Sequence, residues 1–406
     1  MVAVRPFQGQ IVRADRVGEV VSPAYDALTV AQRRQYRVDH PLCYLHVTRS
    51  APDEDDADTV DNATLVRRGR AALERLLAAD VLDAAGTPTL LVYELERGDH
   101  RQRGVVCEIL GSEFRRAARP HEDTRPERAA LLAEHFSHVR AASSPVACTI
   151  EVGARLAAAL DTVGAESLVL EHEGGDGLIQ RVWRVDHAAT ESEILASLAN
   201  DDIYIIDGHH RAAANGQILD SGHDVPVLAA IFPPESLSLA GFHRLIRLPE
   251  RLSEADLVKA VSRRFRVEPH QDRREPQGGS VAMYADGSWH TVHFDERPVS
   301  GSPLVRLGSL DPTIVEREIV RAIVARNEGT ADVDYMPDEG DSQAVADHAA
   351  TEGRVPILVP AVTVADMVEV ADGGLTMPAK STYFVPKVRS GLFIRLLDEF
   401  DHPAEA

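Results

Sequence analysis

Four consecutive apolar residues, Ile203-Tyr204-Ile205-Ile206, run straight into Asp207-Gly208-His209-His210-Arg211, the sharpest change from hydrophobic to polar in the chain. The β-branched and aromatic run predicts a strand covered on both faces, and the helix formers of residues 211–219 predict a helix just after the glycine. Residues 89–95 and 104–110 flank Gly98-Asp99 as a hairpin, residues 226–232 read as another buried strand, and residues 42–47 alternate like a strand. Helical spacing of Leu65, Val66, Leu73, Leu76 and Leu77 predicts a helix over 60–79. Further helices are expected from the Thr29 cap through 38, over 127–139 behind Pro126, and over 154–160 and 191–198. Later in the chain come a helix over 254–265, a strand at 266–268, and a hairpin through Asp286-Gly287. A helix over 310–324 with Asp311 as its cap, a strand at 381–385 and a closing amphipathic helix over 390–397 complete the pattern. Hairpins mixed with helices predict an α+β fold with mixed sheets. The expected division is a core with N-terminal elaboration over 1–250 and a smaller α+β subdomain over 251–406, whose C-terminal segment returns to the site.

Length and charge narrow the function classes. The chain has 406 residues, 44% hydrophobic and 26% charged, ordinary values for a soluble globular protein. Its net charge of -21 repels polyanions, which disfavours a nucleic-acid partner and an anionic membrane surface. No apolar stretch is long enough for a membrane span and the start lacks a signal-peptide core, so the expected location is the cytoplasm. The 3 cysteines stand singly, without zinc or redox spacing, and read as buried thiols. Acidic runs at 53–58 and 338–341 read as solvated loops.

Chemistry concentrates in five places. At 207–211 the unpaired N–H groups of a helix start, its dipole and the planar fork of Arg211 make an anion site. Ser22-Pro23-Ala24-Tyr25-Asp26 puts a hydroxyl, a phenol and a carboxylate in one loop, for which a proline-stabilised connection is the preferred reading. His121, Glu122 and Thr124 precede a helix, where Glu122 serves either the helix dipole or general-base chemistry. His243 and Arg244 sit among apolar neighbours, and a buried His-Arg pair calls for an anion or a carboxylate. The last cluster, Met377-Pro378-Ala379-Lys380-Ser381-Thr382-Tyr383-Phe384-Val385-Pro386-Lys387, suits phosphate binding, with a solvated loop as the competing reading.

In this order the five motifs resemble those of the bacterial and archaeal family known as domain of unknown function 1015, over nearly the whole chain. The central turn is also similar to the phosphate-binding turn of the ParB and sulfiredoxin-like superfamily, which includes free serine kinases, partition nucleotide hydrolases and sulfiredoxin. The resemblance implies a ParB/sulfiredoxin-like core and a phosphotransferase. Its donor would be a nucleotide (ATP or ADP) or pyrophosphate with Mg2+, and its acceptor a small hydroxyl compound such as free L-serine. Carried over by residue, Gly208, His209, His210 and Arg211 match the phosphate turn, and Asp207 would orient it or hold the metal. Glu122 would take the acceptor's proton. Ser22, Tyr25, Asp26, His121, Thr124, His243, Arg244, Lys380, Ser381, Thr382 and Lys387 fall on the other motifs as substrate or phosphate contacts. The chain departs from the pattern at Ala24, where a second proline is usual, and at Ala212, where a tyrosine is common. Two rival functions stand beside this one: a nucleotide-binding or hydrolysing ParB-like regulator, and a metal-dependent hydrolase with Asp207, His209 and His210 as ligands. The net charge of -21 counts against a DNA clamp.

Overall fold

A computed structural model describes residues 3–48, 60–83, 86–199, 202–270, 275–295, 301–324, 331–338 and 342–401. The acidic run at 53–58 and most of that at 338–341 lie outside them. The fold is α+β with mixed sheets, and the chain divides into two compact units. The first comprises 1–119, 124–237 and 386–406, the second 120–123 and 238–385. The sequence draws its boundary after residue 250, but the second unit takes in residue 238 onward because Ser238–Ala240 pairs with Tyr383–Val385 and Phe242–Arg247 is an inner strand of its sheet.

The first unit is built on a 9-stranded sheet in which Ile203–Asp207 runs between Ala118–Arg119, parallel, and Val146–Thr149, antiparallel. Ile203 and Ile205 enter a core with Cys107, Val146, Leu156 and Ile194, while Tyr204 and Ile206 are buried on the opposite face. Covered on both sides, the strand needs the continuous apolar run that its sequence supplies. The helix His209–Asp220 follows at once and packs on Pro126–Val139, whose first residue is the proline that favours helix starts. The hairpin Leu91–Arg97 and His100–Leu110 forms as its alternation and Gly-Asp tip predict.

The second unit carries a 6-stranded antiparallel sheet with helices on both faces. Ile246, Val281, Met283 and Ile357 pack beneath Glu254–Ser262 and Val315–Val324, and Leu245, Ala282, Trp289 and Leu358 pack beneath Ser342–Thr351.

Three elements differ from the sequence reading. Residues 42–47 do not form a strand: Tyr44–His46 is a 3-10 turn, closed by the Val47 N–H donating to Tyr44 O, with Leu45 fully buried. Cys43, Tyr44 and Val47 are buried as well, and among the described residues no strand pairs with the segment. Residues 390–397 do not form a helix: Phe393–Leu396 is a strand between Gln10–Ile11 and Ala141–Ala142. Gly391, at φ 92, turns the chain into it, and any Cβ there would lie 2.8 Å from Val20 O. Asp311 is not the helix cap. It is buried inside the first turn and accepts the Gly279 N–H at 3.2 Å, and beyond Ile314 the helix widens into π winding over Val315–Val324.

Candidate functional site

The central turn is held by opposite charges. Gly208 caps the helix His209–Asp220 at φ 95, a conformation costly for any residue with a Cβ, and such a Cβ would also lie 2.8 Å from Arg211 Nη2. The glycine therefore lets Arg211 fold back over the turn. Nη2 of Arg211 donates to Asp207 Oδ2 at 2.6 Å, and Nη1 donates to the carbonyls of Ser144 and Pro145 at 2.7 Å each. Lys387 reaches the other oxygen of Asp207, Oδ1, at 2.9 Å. One carboxylate thus gathers two cations beside a helix N-terminus, all in the first unit.

The same group extends to the N-terminal motif. Ser144 Oγ hydrogen-bonds Ser390 Oγ at 2.5 Å, and Ser390 exchanges both backbone hydrogen bonds with Ser22, at 2.9 and 3.1 Å. Tyr25 follows in the turn Tyr25–Ala27, its ring beneath the Arg33 guanidinium at 4.1 Å. Arg33 also donates to the Tyr25 and Leu28 carbonyls, so the loop is a braced connection. The side chain of Asp26 lies outside the described residues. His209 is buried, and His210 Nε2 accepts the Arg125 N–H at 3.1 Å, which leaves that nitrogen unprotonated. Thr124 is half-buried just ahead of Pro126–Val139. The crevice beside Arg211, lined by Phe136, Ser144, Asn215 and Leu397, has about 10 Å³, room for one water.

The second unit assembles the other motifs. His121 is fully buried, with Nε2 2.8 Å from Thr382 Oγ1, and its carbonyl accepts the Met377 N–H at 2.7 Å. Glu122 is bridged to Met377, and Asp123 accepts the Thr376 hydroxyl at 2.6 Å. Ser381 Oγ donates to Pro378 O at 2.6 Å, so one hydroxyl of the C-terminal motif serves its own folding and that of Thr382 is engaged with His121. Lys380 adopts φ 59, unusual for a residue with a side chain, and its ammonium lies 5.0 Å from the centre of the Phe242 ring. His243 and Arg244 are both buried, but as strand neighbours they face opposite sides of the sheet and do not share one anion. His243 Nδ1 accepts the Val359 N–H at 3.3 Å. Burial pushes the Arg244 pKa down, while Tyr335, Glu316 and Glu122 pull it back up.

The structure thus brings Asp207, Gly208, Arg211, Lys387 and Ser22 into one linked group, and His121, Glu122, Thr382, Lys380 and Arg244 into the other unit. Ser144 and Ser390 were not legible as site residues. Arg211 takes a backbone carbonyl from the first, and backbone acceptors leave no side-chain signal. Among the described residues no group of three or more His, Cys, Asp and Glu side chains is placed to hold a metal. Asp207 has both oxygens in ion pairs, and so does not fit a resident metal site formed with His209 and His210. No described helix is long and apolar enough to cross a membrane.

A family model described as "Protein of unknown function (DUF1015)" matches residues 4–313. No curated protein matches. Among solved structures the chain is similar to a free serine kinase variant in complex with ADP, at 12% identity and TM-score 0.38, over 71% of this chain and 92% of that one. It is also similar to a conserved hypothetical protein from Pyrococcus furiosus, at 11% identity and TM-score 0.38, over 72% and 95%. A C-terminally truncated SbnI from Staphylococcus aureus gives 10% identity and TM-score 0.39, over 72% and 87%.

Proposed function

The chain belongs to the DUF1015 family of proteins of unknown function, and from that premise we propose that it is a phosphotransferase acting on a small hydroxyl compound, with free L-serine as the first acceptor to test. What supports this reading is the clustering of Arg211 and Lys387 on Asp207 at the start of His209–Asp220, beneath a glycine that admits no side chain. Helix-start N–H groups and two cations are what a polyphosphate requires, and phosphoryl transfer depends chiefly on charge neutralisation and alignment. In this reading Gly208, His209, His210, Arg211 and Lys387 bind the donor's phosphates, whether of ATP, ADP or pyrophosphate. Asp207 holds the two cations in position until phosphate takes its place. Mg2+ is assigned to the donor's own phosphates, because Mg2+ is commonly bound through one or two carboxylates plus substrate and Asp207 is already engaged. Glu122 is the proposed acceptor of the hydroxyl proton, and His121 and Thr382 fix the segment that carries it.

The test is incubation of the protein with Mg2+, L-serine and each donor in turn, following phosphoserine by mass spectrometry. Donor-dependent phosphoserine is the expected result. No product with any donor, in a protein that still binds inorganic phosphate or nucleotide, would leave a binding protein and remove the serine kinase reading.

A further inference from the structure

The loop Gly174-Gly175-Asp176-Gly177 joins the antiparallel strands Leu168–Glu173 and Ile179–Arg184 and carries a single charge. It is a closed turn. The Gly174 N–H donates to Leu178 O and the Gly177 N–H to Gly174 O, each at 2.9 Å, and Asp176 Oδ1 accepts the Leu178 N–H at 3.4 Å. The other carboxylate oxygen, Oδ2, takes two guanidinium groups. Nη2 of Arg97, at the tip of the neighbouring hairpin, donates to it at 2.6 Å, and Nη2 of Arg389 donates to it from the C-terminal segment. The two arms are unequal. Arg97 is 44% exposed, so its pair is a surface contact of little energetic weight. Arg389 is 10% exposed and has Asp176 as its only ion-pair partner among the described residues, so the loss of that carboxylate would leave a largely buried charge uncompensated.

Arg389 stands two residues after Lys387, whose ammonium reaches Asp207 Oδ1 at 2.9 Å with 9% of its side chain exposed. Residues 386–389 belong to no strand, and Ser390, bridged to Ser22, is the next residue held by a ladder contact. Val388 is buried between two side-chain anchors, Lys387 on Asp207 and Arg389 on Asp176. The Arg389 backbone is also bonded to the Tyr93 hydroxyl, so removal of Asp176 loosens the segment without releasing it. Burial raises the Asp176 carboxyl, and Arg389 followed by Arg97 more than offset this, so the group titrates below its ordinary value and is charged at neutral pH. We propose that Asp176 is a positioning residue for the anion site: by holding Arg389 it seats residues 387–389 and keeps the Lys387 ammonium on Asp207. The meeting of that ammonium with a donor phosphate rests on the function proposed above; the seating of Lys387 does not.

The sequence has 3 lysines among its 43 basic residues, Lys259, Lys380 and Lys387, so amine reactivity can be read site by site. Brief acetylation of the full-length protein with acetic anhydride, followed by peptide mass spectrometry, should modify the exposed Lys259 rapidly and Lys387 slowly. Asp176→Asn should speed modification of Lys387 about fivefold, the worth of a partly buried ion pair, and leave Lys259 and Lys380 unchanged. Should Asp176→Asn fail to fold, Arg389→Met removes the buried charge while its partner stays in water, and should expose Lys387 equally. Titration with inorganic phosphate separates positioning from general stability. Asp176→Asn should weaken phosphate binding about fivefold in the native background and have no effect when added to Lys387→Gln. The proposal is overturned if Lys387 keeps its native reactivity in both Asp176→Asn and Arg389→Met, or if all three lysines speed up together. It is equally overturned if Asp176→Asn weakens phosphate binding as much with Lys387→Gln present as without it. A native protein that binds neither phosphate nor nucleotide would count against the function proposed above, and the acetylation rates alone then decide for or against the positioning role of Asp176.

Discussion

Asp207→Asn isolates the clamp of the central turn. The substitution preserves shape but leaves Arg211 and Lys387 facing each other without the anion that separates them. Breaking a buried pair from one side costs about 3–5 kcal/mol, and surface pairs are worth about 0–1 kcal/mol. Here Asp207 and Arg211 are 17% and 18% exposed and Lys387 9%, and Arg211 keeps its two carbonyl acceptors. The loss should therefore fall between those limits, at about 2–3 kcal/mol. The chain contains 2 tryptophans, Trp183 in the first unit and Trp289 in the second, both buried, which provides a separate reporter for each unit. In a Trp289→Phe background, urea unfolding followed at Trp183 should shift to lower denaturant for Asp207→Asn. In a Trp183→Phe background the signal of Trp289 should show whether the second unit follows. Inorganic phosphate should recover part of the loss by replacing the missing anion between the cations. A first unit whose stability stays within about 0.5 kcal/mol of its parent would refute the clamp and return Asp207 to a purely chemical role.

Other outcomes follow from the same contacts. Gly208→Ala should lower the thermal midpoint and weaken phosphate binding together, since the new Cβ needs a left-handed backbone and displaces Arg211; titration with phosphate alongside melting checks both. Arg211→Lys should weaken binding of the donor and also cost stability, because no lysine reproduces the bonds to Ser144, Pro145 and Asp207 at once; calorimetric titration and melting separate the two effects. Glu122→Gln should reduce turnover by about 10²–10⁴-fold with donor affinity nearly unchanged, measured by phosphoserine formation and calorimetry. Burial pushes the Cys43 thiol up to about 11 and those of Cys107 and Cys148 further, so all are protonated at pH 8 and should resist iodoacetamide until the protein is unfolded, as mass spectrometry would record.

Much of the fold could be read from short-range pattern. Pro126 starts its helix and Thr29 closes a capping box with Gln32, because these signals act within one turn. The strand Ile203–Asp207 declared itself through an unbroken apolar run. Misreadings arose where distant residues decide. Residues 393–396 have helical periodicity, yet Arg395 is buried against Glu108 at 3.0 Å and the backbone pairs with strands from both the start and the middle of the chain. No local window contains those partners. Asp311 has the sequence of a cap, but the Gly279 N–H claims its side chain. The site shows the same limit. The charged members of the central turn stood out by type, whereas the division of the 377–387 motif between two units, with Lys387 alone on Asp207, depends on tertiary structure.

The pairing of Lys387 with Asp207 also sets a timetable for synthesis. A ribosome adds about 5–20 residues per second, so the lysine emerges on the order of ten to forty seconds after the aspartate it neutralises. Until then the turn has its carboxylate and Arg211 but lacks its second cation, and the strand Phe393–Leu396 is missing from between its two neighbours. The first unit cannot close until those residues are available, however early its sheet forms. A ribosome-bound fragment ending before residue 386 should remain susceptible to protease around the central turn, and a longer fragment that exposes residues 386–396 should be protected there.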